Sequence, residues 1–162
     1  MAVNRGKQFE AIIRKGFEAL PFVAIDRVHD ATSGFMGIKN YCDFIVYRKP
    51  NIYYLECKAI HGNTLNFASH ITETQWSGLL ERSKIEGVGA GLLVWFIDHD
   101  QTYYFDIRIL HDLADRGYKS VNVTQIAPQG HYKILLKGWK KRVFYEYDMI
   151  DFLHRLEAIY HE

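Results

Sequence analysis

The sequence contains little cysteine and no long apolar run. Only Cys42 and Cys57 are present among 162 residues, and they are not spaced as C-x-x-C. This excludes a zinc ribbon, a thioredoxin-type dithiol and a secreted disulfide framework. The longest apolar stretch, residues 92–97, is far shorter than the roughly 20 residues that cross a bilayer, and the N-terminus lacks an apolar secretory segment. We therefore expect a cytoplasmic protein without a membrane partner.

Several common enzyme motifs are also absent. The chain has no G-x-x-x-x-G-K-[ST], no G-x-G-x-x-G and no G-x-S-x-G. Nucleotide-driven motors, Rossmann enzymes and serine hydrolases of the α/β-hydrolase type therefore have no support.

Neither sign of charge dominates, since the formal net charge is only +1. The total therefore requires no polyanionic partner. The basic residues are nevertheless clustered, first at Arg5, Lys7, Arg14 and Lys15, and again at Lys137, Lys140, Lys141 and Arg142. Charge alone is equally compatible with a phosphate-contacting surface and with ordinary solvated side chains.

The length and the hydrophobic fraction of 48% suit one globular domain over residues 1–162. Apolar spacing predicts a helix over 7–20, strands over 43–48 and 52–59 joined by a tight turn, and a helix from Thr72 to about Glu86. The remaining predicted elements are strands over 92–97 and 102–107, a helix over 109–114, strands over 133–137 and 143–147, and a helix over 149–160. This order predicts an α/β domain with a mixed central sheet flanked by helices.

The predicted hairpin gathers three polar side chains. With Lys49-Pro50 as its two-residue loop, Asp43 lies opposite Glu56, and with Pro50-Asn51 it lies opposite Lys58. Cross-strand partners share a face, as do residues i and i+2 of one strand, so either register groups Asp43, Glu56 and Lys58. A three-residue loop would send Asp43 to the other face unless a bulge corrected it.

Two neighbouring carboxylates resist ionisation together unless a cation lies between them. Mg²⁺ or Mn²⁺ is the cation that such oxygen ligands suit, and a metal-bound water could then attack a phosphodiester, with Lys58 orienting that water or neutralising charge in the transition state. The structural alternative is an ion pair between Lys58 and one carboxylate. It compensates two acids poorly, because it supplies one positive charge.

Asp43, twelve residues and then Glu56-Cys57-Lys58 resemble the PD-(D/E)XK nuclease superfamily. More narrowly, the chain resembles the RecU-type Holliday junction resolvases over about residues 4 to 110. The motifs that carry this resemblance are Asn4-Arg5-Gly6 with Phe9-Glu10, then Asp43 with Glu56-Cys57-Lys58, and then Leu65-Asn66-Phe67 followed by Gln75. The resemblance implies a restriction-endonuclease-like fold.

The resemblance also implies roles for single residues. Asp43 and Glu56 would bind the metal, with Gln75 as a further ligand or an orienting group, and Lys58 would support the attacking water. Glu10 would add a catalytic carboxylate. Two alternatives stay open: Gln75 could serve only as the capping partner of Thr72, and Glu10 could be a solvated helix residue. The expected DNA-binding residues are Arg5, Lys7, Arg14, Lys140, Lys141 and Arg142.

The chain differs from the RecU pattern around Asp43, where Tyr41 replaces the usual threonine and no glycine follows soon after. The segment before Asp43 is also shorter, so residues from about 26 to 40 would form a reduced version of the family's stalk. We expect a Mg²⁺-dependent homodimer that resolves Holliday junctions by paired symmetric nicks in DNA recombination and repair. A nuclease acting on duplexes or flaps, and a non-catalytic DNA-binding protein of the same fold, are the alternatives.

Overall fold

A computed structural model describes residues 4–29, 40–124, 133–141 and 144–160. Its helices are α1 (Arg5–Glu18), α2 (Phe67–His70), α3 (Glu73–Ser83), α4 (Ile107–Asp115) and α5 (Met149–Tyr160). Its strands are β1 (Ala24–Arg27), β2 (Phe44–Arg48), β3 (Asn51–Ile60), β4 (Thr64–Asn66), β5 (Val88–Phe96), β6 (Gln101–Asp106), β7 (Ser120–Asn122), β8 (Lys133–Leu136), β9 (Gly138–Lys141) and β10 (Phe144–Tyr147).

Six of these strands form one sheet in the order β1-β2-β3-β5-β6-β8. The β3–β5 pair is parallel and every other pair in this sheet is antiparallel. Two short ribbons stand apart from the sheet, one of β4 with β7 and one of β9 with β10. The predicted α/β architecture with a mixed central sheet and flanking helices is confirmed.

Helices cover both faces of the central sheet. On one face, α1 and α5 pack through Phe9, Ile13 and Phe152 against side chains such as Leu55 of β3. On the other face, the core contains side chains of α3 and α4, with Leu92 and Val94 of β5 among the residues they bury. Because both faces of β5 are covered, its apolar residues run continuously instead of alternating with polar ones.

Two helix starts follow from side-chain caps. Asn4 accepts from the amide of Lys7, so α1 begins at Arg5, two residues before the predicted start. Thr72 accepts from the amide of Gln75 while the Gln75 side chain accepts from the amide of Thr72, which is the predicted capping box.

The hairpin of β2 and β3 adopts the first of the two registers considered above. Arg48 pairs with Asn51 and Phe44 with Leu55, so Lys49 and Pro50 form the loop. The paired register ends there: Asp43, the residue before β2, donates its amide to the carbonyl of Leu55, and its side chain accepts from the amide of Cys57, on either side of Glu56. The register therefore brings the predicted acids to the point where β2 begins.

Candidate active site

Asp43 is fixed by the backbone of the neighbouring strand. Its amide donates to the carbonyl of Leu55 at 3.0 Å, and its Oδ2 accepts from the amide of Cys57 at 2.9 Å. The side-chain carboxylate thus accepts a hydrogen bond from the backbone of β3 where the strand pair begins. A carboxylate held by a main-chain donor has little freedom to move, so Asp43 is preorganised beside Glu56.

Glu56 and Lys58 project toward α3, where both meet Gln75. The Nζ of Lys58 lies 3.0 Å from Glu56 Oε1 and 3.1 Å from Gln75 Oε1. The Nε2 of Gln75 donates to Glu56 Oε1 at 2.9 Å. Gln75 also accepts from the amide of Thr72 at 3.1 Å, so it caps the helix and contacts both site residues. Gln75 is therefore not only the capping partner of Thr72, because it also orients Glu56 and Lys58, and its role as a metal ligand stays a prediction.

The surroundings of Glu56 disfavour its ionised form. Only 6% of the residue is exposed, and burial together with the nearby Asp43 carboxylate raises its pKa from 4.5 to about 8. The Lys58 ammonium opposes this shift without cancelling it. The contact of the structural alternative, Lys58 with Glu56, is therefore present, but it does not bring the pKa of Glu56 back to its ordinary value.

Arg27 of β1 connects the remaining predicted acid to this group. Its guanidinium lies 2.9 Å from Glu10 Oε2 and 3.1 Å from Asp43 Oδ1, and it also donates to the carbonyls of Val28 and Asp43. Glu10 is only one-quarter exposed, and burial followed by repulsion from Asp43 raises its pKa despite Arg27. Glu10 is thus a partner of the site and not a fully solvated helix residue.

Sequence reasoning did not identify Arg27. It belongs to a four-residue edge strand in which exposed and half-buried residues alternate. A charged residue is expected on such an edge strand, so the pattern gives no indication that Arg27 has a role in a site. Only the pairing of Arg27 with Phe44 in the next strand places it beside Asp43. The sequence offers no local signal for this role.

Helix α3 also holds the residues that lead into Asp43. The Arg82 guanidinium lies 3.6 Å from the centre of the Tyr41 ring and 5.4 Å from that of Tyr54. Tyr41 packs so closely on Gly78 that a Cβ added there would be 2.4 Å from the Tyr41 Cβ. The absence of a side chain at Gly78 lets Tyr41 approach the helix, two residues before Asp43.

The donor set fits a hard divalent cation. Carboxylate oxygens such as those of Asp43 and Glu56 are ligands that Mg²⁺ and Mn²⁺ prefer, and a cation bound there would favour the ionised form of Glu56, whose pKa is raised. The amide oxygen of Gln75 already accepts from Lys58 and from the amide of Thr72. Within the described residues, no group of three His, Cys, Asp or Glu side chains is arranged to hold a metal. A cation here would rely on the two carboxylates and water, and Gln75 would join them only by giving up one of its present donors.

The neighbouring thiols do not provide soft ligands. Burial raises the pKa of Cys42 to about 12, and it also raises the pKa of Cys57 well above its usual value. Both cysteines are free and buried. They are therefore protonated at neutral pH, and the site presents oxygen ligands only.

The predicted DNA-binding residues lie on two different elements. Helix α1 carries Arg5, Lys7 and Arg14. Arg5 donates to Gln8, and Arg14 pairs with Glu18 at 2.8 Å. The pKa of Glu10 is raised mainly by burial, and the charge of Lys7 opposes that rise. Lys140 and Lys141 belong to β9, and Arg142 lies outside the described residues.

The β9–β10 ribbon borders an apolar groove of about 730 Å³ along α1, lined by Ile12, Trp139, Tyr145 and others. None of the four site residues Asp43, Glu56, Lys58 and Gln75 is among its lining residues. The groove therefore does not supply the acid and amine groups of the candidate site.

Comparisons with known proteins give matches among solved structures only. No protein-family model and no curated protein matches the chain. Among the solved structures that match is Hjc, a Holliday junction resolvase from the archaeal hyperthermophile Archaeoglobus fulgidus, with a TM-score of 0.47 and 17% identity. The match covers 64% of this chain and 78% of Hjc. This likeness assigns neither an activity nor a residue role to the chain.

None of the described helices is long and apolar enough to span a membrane.

Proposed function

We propose that the protein is a Mg²⁺-dependent DNA endonuclease of the PD-(D/E)XK type. The observation that carries this proposal is the convergence of two largely buried acids, Asp43 and Glu56, with Lys58 on the same strand pair. With the nearby Glu10 these acids number three and share two basic partners, Arg27 and Lys58. Such an excess of acid is costly for folding alone, and the cost is understandable where the acids bind a cation. Mn²⁺ should replace Mg²⁺, because both accept oxygen ligands.

Each side chain has a distinct role in this mechanism. Asp43 and Glu56 hold the cation, which when bound polarises the scissile phosphate and acidifies a water. Lys58, steered by Glu56 and Gln75, orients the attacking water and neutralises charge that develops on the phosphate. Arg27 keeps Glu10 and Asp43 together despite their like charge.

Within this class, we favour a RecU-type enzyme that resolves Holliday junctions by paired symmetric nicks. Symmetric nicks need two sites, so a homodimer follows from the proposal. A cytoplasmic location and a role in recombination and repair accompany it. The proposed reduced stalk over residues 26–40 lies mostly outside the described residues, although Asp26 and Arg27 belong to β1.

Cleavage of a four-way DNA junction in Mg²⁺ tests the proposal. The native chain should cut the junction, whereas Asp43→Asn should lose roughly 100-fold or more of the rate and still bind it, because a metal ligand supplies several kcal/mol in the transition state. Glu86→Gln is the control, since Glu86 is an exposed acid in the turn between α3 and β5, outside the site and the proposed stalk. It should cut at the native rate.

Two outcomes would contradict the proposal at different levels. Equal rates on a junction and on a linear duplex of matched sequence would remove the resolvase assignment and favour a nuclease of broader target. Binding without cleavage in either Mg²⁺ or Mn²⁺ would remove catalysis altogether and favour a DNA-binding protein.

A further inference from the structure

The basic residues of this nearly neutral chain are unevenly distributed. Residues 116–145 contain seven lysines and arginines and no aspartate or glutamate, so the other residues together carry a net charge of −6. A second acid-free stretch covers residues 57–72. Although the net charge is near zero, residues 116–145 are therefore strongly basic and suited to binding a polyanion.

The two acid-free stretches meet in the β4–β7 ribbon. Leu65 pairs with Val121, and both side chains are buried in the core. The flanking pairs, Thr64 with Asn122 and Asn66 with Ser120, are half-buried, and since side chains alternate along a strand they lie on the opposite face of the ribbon. One face of the ribbon is therefore polar, uncharged and rich in hydrogen-bonding groups.

This ribbon is connected to the candidate active site by a single helical turn. Asn66 caps α2 through the amides of Ala68 and Ser69, and the amide of Phe67 donates to the carbonyl of Lys119 at 3.0 Å. Helix α2 ends at His70, two residues before the Thr72 cap that contacts Gln75. Four helical residues extend only about 6 Å, so the ribbon adjoins the site.

Lys119 is exposed, as are Lys7 and Lys49, but it alone of these three directly precedes β7 of the ribbon. Three other exposed basic residues are already paired. Arg14 of α1, and Lys84 and Arg116 directly after α3 and α4, each pair with a carboxylate three or four residues away. Within the described part of the chain, the exposed Lys119 has no such carboxylate partner. Its charge is therefore available to a ligand, and the ribbon beside it contains no acid that would repel an anion.

We propose that the polar face of the β4–β7 ribbon, together with Lys119, binds the sugar–phosphate backbone of the DNA arm that enters the active site. This inference rests on the proposed function. Small hydroxyl and amide side chains with a lysine are the groups that contact phosphate and sugar oxygens, and they position a duplex without reading its sequence. The ribbon strands span about 10 Å, enough to follow a short part of one backbone.

Charge reversal at Lys119 tests this surface. Affinity is measured by fluorescence anisotropy with a labelled four-way junction and a labelled linear duplex, in EDTA so that neither is cut. Lys119→Glu should weaken binding of both by roughly three- to tenfold, and Lys119→Gln should lower the slope of log K against log salt by about 1. Lys84→Glu, the same exchange at the far end of α3, is the control and should change neither quantity.

The possible failures are distinguishable. If the native chain binds DNA and Lys119→Glu binds as tightly as Lys84→Glu, the ribbon proposal is wrong and the nuclease proposal is unaffected. If Lys119→Glu weakens binding but the native chain cuts no DNA, the ribbon stands and the catalytic assignment falls. Absence of any DNA binding by the native chain would overturn both. Ser120→Glu, on the polar face itself, repeats the test and should also weaken binding to both DNAs.

Discussion

The stability of the metal-free protein should fall as pH rises, because of Glu56. Its pKa is about 8 in the folded protein against 4.5 as the ordinary value, so between these pH values the folded state keeps a proton that the unfolded chain releases. The contribution of Glu56 to stability is therefore complete below about pH 4.5 and is lost as pH rises to about 8. At about 1.4 kcal/mol per pH unit, the total is roughly 4–5 kcal/mol.

Glu56→Gln should remove this dependence. Glutamine resembles the protonated acid in shape and charge, its oxygen can still accept from Lys58 and Gln75, and its amide can donate toward Asp43. The variant should therefore match the native protein near pH 5 and exceed its free energy of unfolding by about 4 kcal/mol at pH 8. The same variant should be inactive, since it loses a charged metal ligand.

Urea unfolding followed by circular dichroism, in EDTA at pH values from 5 to 8, measures the difference. Glu157→Gln is the control, because Glu157 pairs with Arg48 at 3.1 Å on a helix remote from the site, and it should retain the native pH slope. Mg²⁺ should stabilise the native protein more at pH 8 than at pH 6, since binding displaces the proton of Glu56. A Glu56→Gln variant with the native slope, or one less stable than the native protein at pH 8, would refute the reasoning.

Three further outcomes follow from the contacts of the site. Arg27→Met should lower the free energy of unfolding in urea by about 2 kcal/mol, because two half-buried acids lose their shared cation, and Mg²⁺ should restore more stability in this variant than in the native chain. Lys58→Met should slow junction cleavage about 100-fold. It should also tighten Mg²⁺ binding in thermal-shift titrations, because the Lys58 ammonium that competes with the metal for Glu56 is removed. Weaker Mg²⁺ binding would contradict the assignment of Lys58 as a residue that does not bind the metal. Gly78→Ala should displace Tyr41 and weaken Mg²⁺ binding roughly tenfold, at a stability cost of about 1–3 kcal/mol. Gly16→Ala is the control, because Gly16 is also crowded but remote from the site, and it should lower the melting temperature only. Equal Mg²⁺ affinities in the two variants would be evidence against coupling of α3 to the site.

Sequence reasoning succeeded where structure is specified locally. The apolar spacing of α1, the capping box at Thr72 and the tight turn at Pro50 are encoded within a few residues, and the structure contains all three. The grouping of Asp43 with Glu56 followed because a two-residue hairpin loop determines the register. The metal, DNA and dimer assignments stay predictions.

Features that depend on long-range packing were not predictable in the same way. Strands β4 and β7 are three residues each and pair across more than fifty residues, so neither has a periodicity of its own. The contact of Arg27 with Glu10 joins an edge strand to a helix, and the fit of Tyr41 onto Gly78 depends on a missing side chain. These contacts depend on tertiary packing, and the conformational propensities of single residues do not predict them.

The double engagement of Gln75 couples local opening of a helix to the integrity of the site. Any fluctuation that unwinds the first turn of α3 must release Glu56 and Lys58 together, because one amide group restrains the helix end and both side chains. The backbone amide of Gln75 donates to the Thr72 hydroxyl in the same turn. Hydrogen exchange at this backbone amide would consequently report how often the turn opens and the contacts of Gln75 with Glu56 and Lys58 break, without substrate or metal. Fraying of one helix end would set the fraction of molecules in which Gln75 holds Glu56 and Lys58 together.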